Sequence, residues 1–365
     1  MHITVQRDVL LKPLQALSGV IDKRQALPIL SNILLTMKED RLCLTGTDLE
    51  MELIATVPVV EAKEATPITV SGRKLFDICR SLREGCRLSL TLQKNNVLVS
   101  TEDSSFTLNT LPAQDFPHLE EAAYPTRLQL KQAALKQLLT KTYFAMGQQD
   151  VRHYLNGALL DIRRDSIQCV AADGHRLALA SLPHQGEVEA QAILPRKSVL
   201  ELMRLLGEDT EAMLSFSLSD QRFCVTTEDI VLTSKLIHAQ YPDYRRLIPQ
   251  GTSSAVLERE SVREALARAS ILSNEKFRGV RFQLKDQELR ITANNADQEQ
   301  AEEVMSLAYE GNPIEIGFNA AYLMDVVSTL TTKLIRFVFT DSHSGVLIRS
   351  EEDEQHLYVV MPMRL

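Results

Sequence analysis

The chain has 365 residues, 44% hydrophobic and 24% charged, with a formal net charge of −8, a balance that fits a globular protein and excludes a disordered or fibrous one. No apolar run nears the ~20 residues of a bilayer-spanning helix, and the N-terminus lacks the basic-then-apolar order of a signal peptide. The five cysteines (Cys43, Cys79, Cys86, Cys169, Cys224) form no CxxC pair and are odd in number, which argues against a disulfide or metal framework and for a reducing cytoplasm.

The predicted elements come in three rounds of about 120 residues each. The first opens with a helix in RDVLLKPLQALSGVI from Arg7, where Pro13 should kink the helix or shift its start. ILLTMKEDRLCLTGTDLEMELIATV from Ile33 then reads as strand, charged turn, strand ending near Asp48, and a third strand. PITV from Pro67 is a short strand. VSGRKLFDICRSL from Val70 carries Leu75, Ile78, Cys79 and Leu82 at helical spacing, before the strands RLSLTL and NVLVST. EAAYPTR (Glu121–Arg127) has the punctuation of a linker.

The second round repeats this order with KQAALKQLLTKTYFAM from Lys131, ALLDIRRDSIQCVAADGHRLALASL from Ala158 and LPRKSVLELMRLL from Leu194. After a second linker, PQGTSSA (Pro249–Ala255), come ESVREALARASIL from Glu260, VRFQLKDQELRITANNADQEQAEEV from Val280 and FNAAYLMDVVSTL from Phe318. Asp48, Asp173 and Asn295 fall in register at offsets of 125 and 122, and the second helices at 124 and 124. The expected fold is α+β: three tandem domains at 1–121, 127–248 and 253–365, each with two helices packed on antiparallel sheet.

Charge is unevenly placed. The six helix windows hold 16 Lys and Arg against 9 Asp and Glu, a net +7, which leaves −15 on the rest. Helices favour Glu as well as Lys, so propensity alone does not give this bias. A helix-lined surface facing a polyanion, with an acidic exterior, does. Six helices per chain make twelve in a dimer. At ~10 Å per helix that is a ring with a bore of about 28 Å, wider than a duplex of roughly 20 Å. Loose, water-mediated phosphate contact suits sliding, because tight base contacts would pin the ring.

LTGTDLEMEL from Leu44, QDVRHYLNG from Gln149, ADGHRLA from Ala172, YPDYRRLIP from Tyr241, SNEKFRGVR from Ser273 and the tail YVVMPMRL from Tyr358 occur in one order and spacing. In these the chain resembles, over its whole length, the bacterial DNA polymerase III beta subunits, the sliding clamps. The resemblance implies a non-catalytic processivity factor that encircles duplex DNA as a head-to-tail homodimeric ring of six domains, without cofactor or metal, in the bacterial cytoplasm. Its implied partners are the replicative polymerase alpha subunit, the clamp loader, and other polymerases, mismatch-repair proteins and ligase, docked through short peptides; no membrane is involved.

The positions matching the family's docking pocket are Leu155, Ala172, Gly174, His175, Arg176 and Leu177, then Pro242, Arg246 and Leu247, then the tail residues Val359, Val360, Met361, Pro362, Met363 and Arg364. An apolar, Met-containing groove suits a site that accepts many peptides, and exchange needs only micromolar affinity, about −8 kcal/mol. Positions matching DNA contacts are Arg24, Arg73, Gln149, Asp150, Arg152, His153 and Tyr154. Those matching ring closure are Phe106 and Leu108 against Ile271 and Leu272, as exposed apolar edges, with Lys74 facing Glu299, Glu302 or Glu303. Two departures are visible: Ala172 stands where the family often has Thr, and His153 where Tyr is common.

Three other readings are weighed. Asp173 beside His175 suggests an acid–base dyad, but no nucleophile accompanies it, and Asp48 holds the same place in round one, so a strand-end turn is favoured. A nuclease would have to gather Asp48, Asp173 and Asp297 from separate repeats, and is rejected. The rival that stands is a non-DNA interaction scaffold with the same triplicated fold.

Overall fold

The computed structural model describes residues 2–21, 27–63, 66–120, 122–251 and 253–364. The first repeat contains β1 (His2–Gln6), α1 (Arg7–Val20), β2 (Asn32–Lys38), β3 (Arg41–Thr47), β4 (Met51–Pro58), β5 (Glu61–Lys63), β6 (Ile68–Ser71), α2 (Gly72–Ser81), β7 (Arg87–Gln93), β8 (Asn96–Ser100) and β9 (Ser105–Asn109). The second contains β10 (Thr126–Lys131), α3 (Gln132–Thr142), β11 (Gly157–Ile162), β12 (Ser166–Ala172), β13 (Arg176–Pro183), β14 (Ala190–Pro195), α4 (Arg196–Leu205), β15 (Met213–Leu218), β16 (Arg222–Thr226) and β17 (Ile230–Lys235). The third contains β18 (Ser253–Glu258), α5 (Arg259–Ser270), β19 (Gly279–Lys285), β20 (Glu288–Asn294), β21 (Gln300–Ser306), β22 (Ala308–Glu310), β23 (Ile314–Asn319), α6 (Ala320–Thr329), β24 (Leu334–Phe339), β25 (Val346–Ser350) and β26 (His356–Val360).

The order strand, helix, three strands, twice per repeat, is the one the sequence predicts. The short β5 and β22 are additions to it, pairing with β1 and β18. Pro13 does not shift the start of α1, which runs from Arg7 through Pro13 to Val20 and buries Leu10, Leu14, Leu17 and Val20 along one face. Burial of that stripe outweighs the hydrogen bond Pro cannot donate. The second helices of repeats one and three are capped at the same repeat position. Ser71 Oγ accepts from the Lys74 N–H, and Asn319 Oδ1 from those of Ala321 and Tyr322.

Two compact units result, Met1–Lys136 with Leu200–Leu236, and Gln137–Val199 with Ile237–Leu365. The division falls inside α3 and α4. In the first unit a five-stranded sheet runs β5-β1-β7-β8-β9 and an eight-stranded sheet β10-β15-β16-β17-β4-β3-β2-β6. The larger sheet joins two repeats: β17 pairs antiparallel with β4, placing Leu232 opposite Leu53 and Ser234 opposite Met51. α1 packs on α2 and against β3 and β4.

In the second unit a nine-stranded sheet runs β14-β11-β12-β13-β26-β25-β24-β18-β22 and a four-stranded sheet β21-β20-β19-β23. Here β13 of repeat two pairs with β26 of repeat three, Leu177 opposite Val359. Phe282, Phe318, Phe337, Phe339 and Tyr358 are fully buried. Within these sheets β9 and β21 are edge strands, each with one side unpaired.

Cys43, Cys79 and Cys169 are buried, and Cys86 and Cys224 half-buried. Burial pushes the Cys79 and Cys169 thiols up to about 12. A thiol reagent at pH 8 is therefore expected to modify at most two thiols per native chain, Cys86 and Cys224, and all five after unfolding. Labelling of Cys169 in the native state, read by peptide mass spectrometry, would contradict this packing.

Candidate functional site

The docking set assembles on one sheet face of the second unit. The antiparallel registers place Ala172 opposite Leu177 and Leu177 opposite Val359, a row across β12, β13 and β26. Side chains alternate along a strand, so the next rung on that face is Val170, Leu179 and Leu357. These residues form one cluster with Leu155 and Tyr244, and Tyr154, Tyr241 and Ile237 pack against it. The linker crosses here with Pro242, Arg246 and Leu247 exposed; Arg246 Nε donates to Asp243 at 3.1 Å.

Beyond β26 the tail is tied down by its backbone. The Met361 N–H donates to the His175 carbonyl and the Met363 N–H to the Gly317 carbonyl, both at 2.8 Å. Met361 is exposed, Pro362 and Met363 are half-buried, and Arg364 is exposed. Val360 is fully buried in β26. It supports the strand and does not line the surface, a role the tail motif alone does not reveal.

Asp173, Gly174 and His175 form the turn between β12 and β13. Asp173 Oδ1 accepts from the His175 and Arg176 N–H groups. Asp48 Oδ1 does the same for Glu50 and Met51, and Asn295 Oδ1 for Asp297 and Glu299. The three positions in register are thus side-chain-bonded turns. Asp173 is further engaged by Arg176, and the His175 ring stacks on Tyr322 at 6.0 Å, so the pair is not arranged as a dyad.

The loop assigned to DNA lies against this turn. Gln149 is exposed in the left-handed region at φ 56°. Arg152 grips Asp150 with Nε at 3.0 Å and Nη2 at 2.9 Å, and Nη2 also donates to the Asp173 carbonyl at 3.3 Å. The guanidinium hydrogen bond holds the Asp150 carboxyl down at about 2, so the pair stays ionised until the pH falls toward that value. Gly174 has φ +88°, and a Cβ there would meet Arg152 Nη2 at 2.7 Å. His153 is exposed, while Tyr154 is half-buried, edge-on to Tyr241 at 6.0 Å. In the other unit, Arg73 is exposed on α2, 3.8 Å from Asp77. Arg24 lies outside the described residues.

Of the ring-closure set, Ile271 is 76% exposed at the end of α5 and Leu272 half-buried. Phe106 is half-buried, and Leu108, expected to be exposed, is only 7% so. Both sit on the face of β9 turned toward their own sheet's core, so the edge of β9 offers backbone more than side chain. Lys74 is exposed in the first turn of α2. The acidic candidates have partners in their own chain: Glu303 is held by both ends of the Arg268 fork at 2.8 and 2.7 Å, Glu302 by Arg290, and Glu299 by Asn295.

Tyr322 and Asp325 on α6 and Phe144 join the site without having been foreseen. Arg176 binds Asp325 at 2.5 Å and the Phe144 carbonyl at 2.6 Å, with Tyr322 under its guanidinium at 4.5 Å. The available signal was a departure from repeat symmetry, since Tyr322 stands where the other helices carry Lys74 and Ser198. The same comparison explains why the apolar row belongs to one repeat. Leu177 is matched by Glu52 and Gln300, and Ala172 by Thr47 and Asn294. Glu52 is buried and accepts from the Leu119 N–H, with His118 Nδ1 at 3.1 Å. A carboxylate in that network cannot floor an apolar groove.

Models of the N-terminal, central and C-terminal domains of the DNA polymerase III beta subunit match residues 1–120, 129–243 and 245–364. The beta sliding clamps of Pseudomonas putida and Escherichia coli K12 are 48% and 45% identical to the chain, each aligned over 100% of both chains. A crystal structure of the Pseudomonas aeruginosa clamp bound to griselimycin superposes with a TM-score of 0.96 at 45% identity, covering 100% of both chains. The Caulobacter crescentus pol III beta structure gives 0.94 at 34% identity, again covering both chains fully. With three tandem clamp domains matched in order across its length, the chain belongs to the DNA polymerase III beta subunit family, the beta sliding clamps, non-catalytic processivity subunits of DNA replication.

Proposed function

We propose that two copies of this chain close head to tail around duplex DNA, hold the replicative polymerase on its template, and exchange partners at the surface built by Leu155, Ala172, Leu177, Leu247, Val359 and Met361. The observation that carries the ring is that two unlike edge strands of the four sheets, β9 in the first repeat and β21 in the third, lie at the sequence-expected closure positions, with the exposed Ile271 at the end of the helix packed on the latter. Unlike edges that complement each other make a head-to-tail contact, and two such contacts related by two-fold symmetry close a ring. In this reading the domains span 1–121, 127–248 and 253–365. Lys74, Phe106 and the backbone edge of β9 meet Ile271, Leu272 and the acidic strand of the other copy, with Leu108 supporting that edge from inside. Arg73, Gln149 and His153 face the phosphates, while Arg152, neutralised by Asp150, contributes little charge.

The protein acts in the bacterial cytoplasm, where the chromosome lies. Its docking surface takes short apolar peptides of polymerases, the clamp loader, mismatch-repair proteins and ligase. Griselimycin, which the Pseudomonas aeruginosa clamp binds, serves as a probe for it. The decisive test of the ring is topological. Loaded onto nicked circular DNA, the protein is expected to stay bound through gel filtration and to leave when the circle is cut. Salt-sensitive binding to short linear duplex, equal to that on circles, would overturn the ring, and no DNA retention at all would favour a scaffold that does not encircle DNA.

A further inference from the structure

The three second helices share an acidic residue at one repeat position: Asp77 on α2, Glu201 on α4 and Asp325 on α6. In the first two, an arginine three residues on pairs with it within the helix. Arg80 reaches Asp77 at 3.1 Å and Arg204 reaches Glu201 at 2.7 Å. In α6 the position of that arginine is Ser328, and Asp325 pairs instead with Arg176 of the second repeat at 2.5 Å. Arg176 is likewise a departure, because the residues at that place in the turn are Met51 and Glu299. Two losses of repeat symmetry, in different repeats, thus meet in one ion pair.

That pair has a defined place. The Arg176 side chain is only 12% exposed. Its Nε goes to Asp173, its Nη1 to Asp325 and its Nη2 to the Phe144 carbonyl. All three nitrogens are engaged inside the chain, and the face of the guanidinium lies on Tyr322. Tyr322 in turn stacks on His175, whose carbonyl holds the Met361 N–H. We propose that Asp325 is a positioning residue of the docking surface: through Arg176 it sets the aromatic wall of Tyr322 and His175 against which a partner peptide packs. The inference rests on the docking reading above.

The test uses the full-length protein and griselimycin, by isothermal titration calorimetry. Asp325→Asn is expected to raise Kd about fivefold, in line with a partly exposed ion pair, while Asp325→Glu stays within about twofold of wild type. In an Arg176→Met background, with the residue that repeat one carries, Asp325→Asn is expected to add nothing, because the two side chains act as one unit. The chain has no Trp, so Tyr322→Trp supplies a single emission signal, expected to shift red when Asp325→Asn is added. Wild-type affinity in Asp325→Asn, or an equal further loss in the Arg176→Met background, would overturn the inference and leave the docking reading intact. A wild-type protein that does not bind griselimycin would overturn both.

Discussion

Replacing Ile271 and Leu272 together by Asp is expected to lower the solution mass from twice 41.0 kDa to 41.0 kDa. Ile271 is 76% exposed and caps the end of α5 in helical geometry, next to the sheet that ends on β21. Losing the burial of two such side chains removes about 3 kcal/mol at a junction, and two-fold closure doubles this to about 6 kcal/mol. The dissociation constant then rises by about four orders of magnitude, before the cost of burying two carboxylates is added. The same variant should lose retention on nicked circles. Because both side chains reach solvent in the single chain, its far-ultraviolet circular dichroism should not change. Multi-angle light scattering decides the matter, and an unchanged mass would mean that closure uses another surface.

Deleting Met361–Leu365 is expected to abolish docking while keeping the dimer. The deletion starts one residue after β26, so the pairing of Leu177 with Val359 survives. What is lost is the exposed Met361 side chain and the two backbone ties, to His175 and to Gly317. Burial of one Met contributes about 1.5–3 kcal/mol, and releasing the tail adds an entropic cost to whatever binds there. Griselimycin affinity should fall about a hundredfold or more, and polymerase stimulation should disappear, with light scattering still giving the dimer. A monomer after this deletion would show that the tail belongs to the ring contact and not to the docking surface.

The threefold order was readable because each repeat switches between period-two and helical spacing at the same places. β5 was not readable: Glu61, Ala62 and Lys63 are all exposed and carry no apolar alternation. Nor was the pairing of β4 with β17, since an edge strand announces that it needs a partner but not which one. In the site, Leu155, Ala172, Leu177 and Val359 came from the resemblance, and their packing into one cluster agrees with it. Tyr322 and Asp325 carry no local signature on an amphipathic helix. Only their mismatch with Lys74 and with the Asp77–Arg80 pairing marks them.

The sheets that borrow strands across repeats also decide how the chain can be cut. A fragment ending at the first linker would keep β4 but lose β17, leaving a long apolar edge with Met51, Leu53 and Ala55 unpartnered. Such an edge is an invitation to aggregate. A fragment holding only the second repeat would carry two halves that belong to different compact units, with the break inside α3 and α4. Hydrogen exchange should therefore divide the molecule in two, grouping β15–β17 with the first repeat and β11–β14 with the third. The module visible three times in the sequence is therefore not expected to be the unit that opens and closes together.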